Sequence, residues 1–153
     1  MNILVWISLI VGCAAIAEDL YRRRISNWTS AAAVLGGLLF HIGRDGWKGL
    51  ATSLLGAATG FGVFLLFYLL QGMGGGDLKL MAGFGSLLGP GLVVHAAFFT
   101  AVFGGLMAAA WLTVNWARRT LARSSGSTVA RARTIPYAPA IAFGCWLVLL
   151  TKS

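Results

Sequence analysis

The sequence predicts an all-α, polytopic membrane protein, a bundle of about six transmembrane helices. Composition and hydropathy support this class. Hydrophobic residues make up 58% of the 153 residues, only 10% are charged, and the mean hydropathy is +0.82. A soluble domain normally carries about 25% charged residues to cover its surface. The composition therefore excludes a soluble globule, and lipid must solvate most of the surface.

Six apolar runs follow one another along the chain, and each predicts a helix. They cover Asn2–Ala17, Trp28–Ile42, Leu50–Leu70, Leu78–Leu88, Leu92–Trp116 and Tyr137–Leu150. The fourth run is short and ends before Pro90, but we count it as a helix because the fifth run is long enough to cross alone. Several runs fall short of the roughly 20 residues that span a typical bilayer. Their helices need flanking polar residues, thinner lipid or an aqueous cavity.

The first run is expected to remain in the protein as its first span. It has no basic segment before it and no small-residue cleavage site after it, which distinguishes it from a removable signal peptide. The only long polar segment, Arg118–Pro136, is predicted to be a cytoplasmic loop. No other segment is polar enough to form a second domain, so residues 1–153 are predicted to form a single integral-membrane domain.

The basic residues predict the orientation of the bundle. If the first, third and fifth connections share one side, that side carries nine of the 12 basic residues, namely Arg22, Arg23, Arg24, Lys79, Arg118, Arg119, Arg123, Arg131 and Arg133. The other side carries Arg44, Lys48 and Lys152. Basic residues concentrate in cytoplasmic connections. We therefore expect a multi-pass protein of the inner membrane, with the odd connections in the cytoplasm and both termini outside it.

The net charge of +8 follows from this orientation and from contact with anionic membrane lipids. No interleaved aromatic and basic groove indicates a nucleic-acid partner. Cys13 and Cys145 lie in apolar runs without CxxC spacing, and neither His41 nor His95 has an acidic or cysteine partner at ligand spacing. We expect no metal and no cofactor. The sequence leaves the oligomeric state undetermined.

The chain has only four acidic residues, and a carboxylate at membrane depth indicates function because its burial is costly. Asp45 lies between basic neighbours in a turn-like outer segment and is expected to be solvated. Glu18 and Asp19 end the first span, and Asp77 begins the fourth span directly after three glycines. The predicted topology places Asp19 and Asp77 at the same membrane face, although 57 residues separate them.

Two carboxylates that approach closely share one proton and so provide a general acid and a general base together. Such a pair can activate water against a peptide carbonyl, which is the chemistry of aspartic proteases. In a first alternative, each carboxylate pairs only with a nearby arginine or with Lys79. In a second, the chain is a non-enzymatic transporter or assembly subunit in which Asp19 and Asp77 relay protons.

Three short motifs favour the catalytic interpretation. Residues 74–82, GGGDLKLMA, contain a GxGD pattern, and residues 19–27 begin with Asp19 and end in Ile-Ser-Asn. Residues 135–139, IPYAP, precede and begin the last apolar run. In this order and on this side of the membrane, the motifs resemble those of the type IV prepilin peptidases, a family of GxGD intramembrane aspartyl proteases. The resemblance extends over essentially the whole chain.

The resemblance implies that Asp19 and Asp77 are the catalytic pair. Glu18 is not carried over, because neighbouring helix positions point about 100° apart and the spacing to Asn27 selects Asp19. The matched positions also imply supporting roles for Gly74, Gly76, Lys79, Asn27, Pro136 and Pro139. The implied reaction is cleavage of the leader from pilin-like precursor proteins at the cytoplasmic membrane face.

The chain also departs from the family pattern. Full-length bacterial prepilin peptidases carry a cytoplasmic segment with paired CxxC motifs and also methylate the new amino terminus, whereas this sequence has no CxxC. We therefore expect a short form limited to the peptidase step, as in tight-adherence (Flp) pilus systems. Archaeal preflagellin peptidases share the GxGD core, and one sequence does not separate the two groups.

Overall fold

A computed structural model of the chain describes residues 3–22, 24–69, 74–124 and 137–152. Within these ranges the structure consists of four helices and no strand: α1 (Ile3–Arg22), α2 (Asn27–Leu69), α3 (Gly75–Ser124) and α4 (Ala138–Lys152). The predicted all-α class is confirmed. The first three helices contain apolar segments long enough to cross a membrane, and α4 is apolar but shorter.

The predicted number of six helices is not confirmed. Helices α2 and α3 each continue through a single glycine with non-helical backbone angles, Gly46 (φ 57°, ψ −129°) and Gly89 (φ 78°, ψ 170°). Glycine adopts positive φ without the steric cost that a Cβ atom imposes. The connections between the second and third runs, and between the fourth and fifth, are thus glycine kinks rather than loops. Each pair of predicted helices is therefore described as one long helix.

Both long helices fold back on themselves at these glycines. Gly49, which follows Gly46, lies directly against the main-chain carbonyl of His41, which precedes it. Gly60, in the second half of α2, lies against both Met81 and Val93, which are on opposite sides of Gly89. Gly37, in the first half of α2, lies against Ser86 of α3, so both halves of α2 pack against α3.

The first half of α3 is the centre of the bundle. Its side chains at Leu80, Met81, Phe84 and Leu87 are completely buried. A buried hydroxyl pair fixes it to α2, because Ser86 Oγ donates to the carbonyl of Val34 at 3.0 Å and lies 2.6 Å from Ser53 Oγ. Asp77 is therefore located at the beginning of the most deeply packed helical segment.

Helix α4 closes the bundle between α1 and α3. Trp146 Nε1 donates a 3.1 Å hydrogen bond to the carbonyl of Ser8, and Gly144 packs against Ala96 and Thr100. Because α4 runs antiparallel to α1, its first residue, Ala138, reaches Asp19 near the end of α1.

Candidate active site

The ends of three elements enclose a cavity of about 290 Å³. The end of α1, the connection to α2 and the beginning of α3 provide its lining residues, which are Asp19, Arg24, Ile25, Asn27, Gly74, Gly75, Gly76, Asp77 and Lys79. The structure therefore brings together both aspartates and most of the motif residues that the sequence singles out. The fold-back of α2 at Gly46 makes this possible, since it returns the start of α3 to the end of α1.

Asp19 lies three residues before the end of α1, and only 9% of it is exposed. The main-chain N–H of Ala138 donates a 3.1 Å hydrogen bond to its Oδ2 atom. Ala138 is the first residue of α4, and the first N–H groups of a helix have no partner within the helix. The amino end of a helix also carries partial positive charge. Asp19 is thus buried in surroundings that suit a carboxylate.

Asp77 is the third residue of α3 and is also 9% exposed. Its Oδ2 atom accepts a 3.3 Å hydrogen bond from the N–H of Gly74, and its own N–H donates to the carbonyl of Gly74 at 3.2 Å. These two bonds fold the glycine segment around the carboxylate. Asp77 is close enough to Asp19 for their charges to interact, so the cavity contains two coupled acidic groups.

Gly76 is the point at which α3 touches the connection between α1 and α2. A Cβ atom added at Gly76 would lie 3.2 Å from Cβ of Ile25 and 3.4 Å from its main-chain nitrogen. The same addition at Gly74 would place a Cβ 3.5 Å from Oδ2 of Asp77, an ordinary contact. The second glycine of the GxGD pattern therefore lies at a close approach, where an added methyl group would be crowded, and the first does not.

Lys79 and Asn27 form a direct contact at the exposed side of the cavity. Lys79 Nζ donates a 2.9 Å hydrogen bond to Oδ1 of Asn27, the first residue of α2. This bond joins the beginning of α2 to the beginning of α3. Pro139 is the second residue of α4 and is half-buried close to the Asp19 contact. Pro136 lies outside the described residues.

Two further interactions at the site were not expected from the sequence. Glu18 Oε2 accepts a 2.7 Å hydrogen bond from the N–H of Ser26, and Ser26 Oγ accepts one from the N–H of Trp28 at 3.2 Å. Together they fix the short connection between α1 and α2. The serine just before the helix is typical of a helix N-cap, and that signal was available in the sequence. No comparable signal marks Glu18 or the Ala138 N–H.

The other candidates from the sequence lie away from this cavity. Asp45 is exposed and lies beside Arg44, with an N–O distance of 3.9 Å. His41 is buried, with Nε2 3.0 Å from the carbonyl of Leu87, and His95 contacts the carbonyl of Gly91 on its own helix. Among the described residues, no three His, Cys, Asp or Glu side chains cluster as a metal site would require.

Comparison with known proteins defines the class to which this fold and cavity belong. The sequence model of the type IV leader peptidase family matches residues 4–109. This match covers more than half of the chain and includes Asp19 and Asp77. The chain therefore belongs to the type IV leader peptidase family, and the resemblance drawn from its motifs is confirmed.

A particular relative is the prepilin leader peptidase/N-methyltransferase of Bacillus subtilis (strain 168). It is 38% identical over 109 residues, which cover 69% of this chain and 38% of that protein. The chain thus matches well under two thirds of the relative's length. No solved structure matches the chain.

Proposed function

We propose that this chain is an aspartic endopeptidase that removes the leader from type IV pilin-like precursor proteins, with Asp19 and Asp77 as its catalytic pair. One observation carries the proposal: two buried carboxylates, from distant parts of the sequence, line one cavity in a member of the leader peptidase family. Burying two acids in a chain with only four is costly, and such a cost is typical of functional sites.

The chemistry follows from the coupling between the two groups. Two adjacent carboxylates share one proton, so one acts as a base while the other acts as an acid. The ionised carboxylate takes a proton from water as the water oxygen attacks the scissile carbonyl, and the protonated one donates to the carbonyl oxygen. The tetrahedral intermediate then collapses and the C–N bond breaks. The departing amine takes the proton that the base removed from water, and the other carboxylate recovers its proton from a hydroxyl of the intermediate.

The remaining motif residues support this pair in the proposal. The segment Gly74–Gly76 carries no side chains, so a substrate strand can approach its main chain beside Asp77. The 2.9 Å hydrogen bond between Lys79 and Asn27 holds the beginnings of α2 and α3 at a fixed separation. Pro139 fixes the backbone in the first turn of α4, where proline is favoured.

We also propose that the chain crosses the inner membrane six times as one domain, residues 1–153, with the cavity at the cytoplasmic face. The fold-backs at Gly46 and Gly89 support this, because each divides a long helix into two segments that run in opposite directions. The distribution of basic residues, nine of 12 in the predicted first, third and fifth connections, supports the orientation. Both termini are then extracytoplasmic.

The experiment is a cleavage assay with the full chain purified into lipid vesicles. A pilin-like precursor with a short basic leader and an apolar helix is added, and mass spectrometry of the product identifies the new amino terminus. We expect one cut at the leader boundary. Vesicles without the protein provide the background rate. Proton flux through the vesicle membrane, together with an intact precursor, would instead indicate the non-enzymatic proton relay and overturn the proposal.

A further inference from the structure

We propose that helix α4 is the positioning element for Asp19, and that it acts through the main-chain N–H of Ala138. This inference rests on the proposed function, since it assigns a device to the same site. Its basis is a hydrogen bond whose donor, the N–H of Ala138, lies 119 positions away from Asp19 along the chain. The donor is a main-chain N–H group, so the side chains of the motif residues do not account for this hydrogen bond.

The Ala138 N–H is the donor that the first turn of α4 directs at Asp19. Its hydrogen bond to Oδ2 is 3.1 Å long and buried, and Ala138 itself is completely buried. The next residue, Pro139, has no N–H group. The first hydrogen bond within the helix runs from the N–H of Ile141 to the carbonyl of Tyr137 at 3.1 Å. This places Ala138 in the first helical position, where its N–H is available to an outside acceptor.

A hydrogen bond from a buried N–H restricts the rotation of a carboxylate as well as favouring its charge. Because catalysis depends strongly on the placement of reacting groups, a fixed donor on a rigid helix would keep the Asp19 carboxylate directed toward Asp77. The donor would act on Asp19 rather than on the substrate, so it is a positioning group.

Helix α4 can act as a rigid support because it is locked along α1 at its other end. Trp146 Nε1 donates to the carbonyl of Ser8 at 3.1 Å, and the indole ring fills the space over Gly12, where an added Cβ would lie 2.5 Å from a ring carbon. On its other side, Gly144 packs directly against the main chain of Ala96. These contacts fix the position of α4 along the axis of α1, and therefore the distance from Ala138 to Asp19.

The direct test replaces Ala138 with lactic acid, its α-hydroxy analogue, by nonsense suppression in the full chain. This changes the amide to an ester, which replaces the N–H by an oxygen atom and also makes the carbonyl of Tyr137 a weaker acceptor for Ile141. The matched control is the same exchange at Ala140, in the same turn of α4, which weakens the carbonyl of Pro139 in the same way. We expect the ester at 138 to lower kcat about 10-fold or more, with KM unchanged, since hydrogen bonds to charged groups are among the stronger ones. The ester at 140 should leave both constants near wild type.

The outcomes separate this inference from the function on which it rests. If Asp19→Asn is inactive but the ester at 138 retains the kcat of the ester at 140, the positioning role is wrong and the proposed function stands. If Asp19→Asn is fully active, the proposed function itself is wrong. If the ester chain does not fold, Trp146→Phe decides: it keeps a ring over Gly12 and removes the bond to Ser8. We then expect kcat to fall about threefold at constant KM, and an unchanged kcat would overturn the inference.

Discussion

Lys79 Nζ donates a 2.9 Å hydrogen bond to Oδ1 of Asn27, across 52 positions of sequence. The two residues lie at the exposed side of the cavity that Asp19 and Asp77 also line. The sequence motifs imply a supporting role for both residues but do not indicate that they contact each other. Through this contact both residues have the same structural role: they join the beginning of α2 to the beginning of α3.

This contact predicts that Lys79→Met and Asn27→Ala have similar effects that do not add. Each single change should lower kcat/KM for precursor cleavage about threefold, a modest effect because the pair is exposed to solvent. The double variant should be no worse than the more affected single one. Lys48→Met is the control, since it removes a basic residue from the opposite side of the bundle. Additive losses in the double variant would show that the two residues act independently.

The close approach of Gly76 to Ile25 predicts a loss of cleavage when a methyl group is added at this glycine. Gly76→Ala should lower the cleavage rate about 10-fold or more, because Ile25 or the start of α3 must move and displace Asp77 from Asp19. Gly62→Ala is the control, since it lies outside the cavity and nothing lies within 4 Å of a Cβ atom there. The rates are compared at equal amounts of folded protein. Equal losses for both variants would contradict the steric explanation.

The packing of α2 against α3 predicts a stability difference between two glycines of the same helix. A Cβ at Gly56 would overlap the carbonyl of Gly85 and lie 2.8 Å from Cα of Gly89, whereas nothing lies within 4 Å of one at Gly62. Gly56→Ala should reduce the free energy of unfolding by about 2 kcal/mol through overpacking. Gly62→Ala should leave it unchanged or raise it by up to about 1 kcal/mol. Denaturant unfolding in detergent measures both, and a stable Gly56→Ala variant would contradict the described contact.

The proposed topology predicts opposite accessibility at the two ends of the bundle. In a variant without Cys13 and Cys145 that still cleaves precursor, Asp45→Cys should react with a membrane-impermeant maleimide in intact cells. Tyr21→Cys should react only after the cells are made permeable. Both positions are exposed, with Tyr21 at 90%, so burial does not limit labelling. Reaction of Tyr21→Cys in intact cells would place the cavity on the other face.

Much of the site could be predicted because it depends on hydrophobic runs and on scarce charges. The alternation of apolar runs predicts that Asp19 and Asp77 lie on one side of the membrane. In the structure both residues line one cavity. The fold class follows from the composition for the same reason. The catalytic assignment of the pair stays a prediction.

Other features could not be read from side-chain identity. The donor to Asp19 is a main-chain N–H at Ala138, and every residue except proline carries one. Glu18 could pair with any of several nearby cations, and nothing in the sequence indicates that it accepts the N–H of Ser26. Similarly, the sequence indicates where a helix is interrupted, yet not that Gly46 and Gly89 alone can reverse the chain without a loop.

The measurement that tests the central claim most directly is the cleavage rate of Asp19→Asn and Asp77→Asn in lipid vesicles. Asparagine keeps the size of each side chain and removes its acid–base function. Asp45→Asn, at an exposed carboxylate outside the cavity, is the matched control. We predict that each cavity variant, with its folded amount unchanged, loses about 1,000-fold or more in rate, while Asp45→Asn cleaves normally. Full activity in either cavity variant would contradict the account.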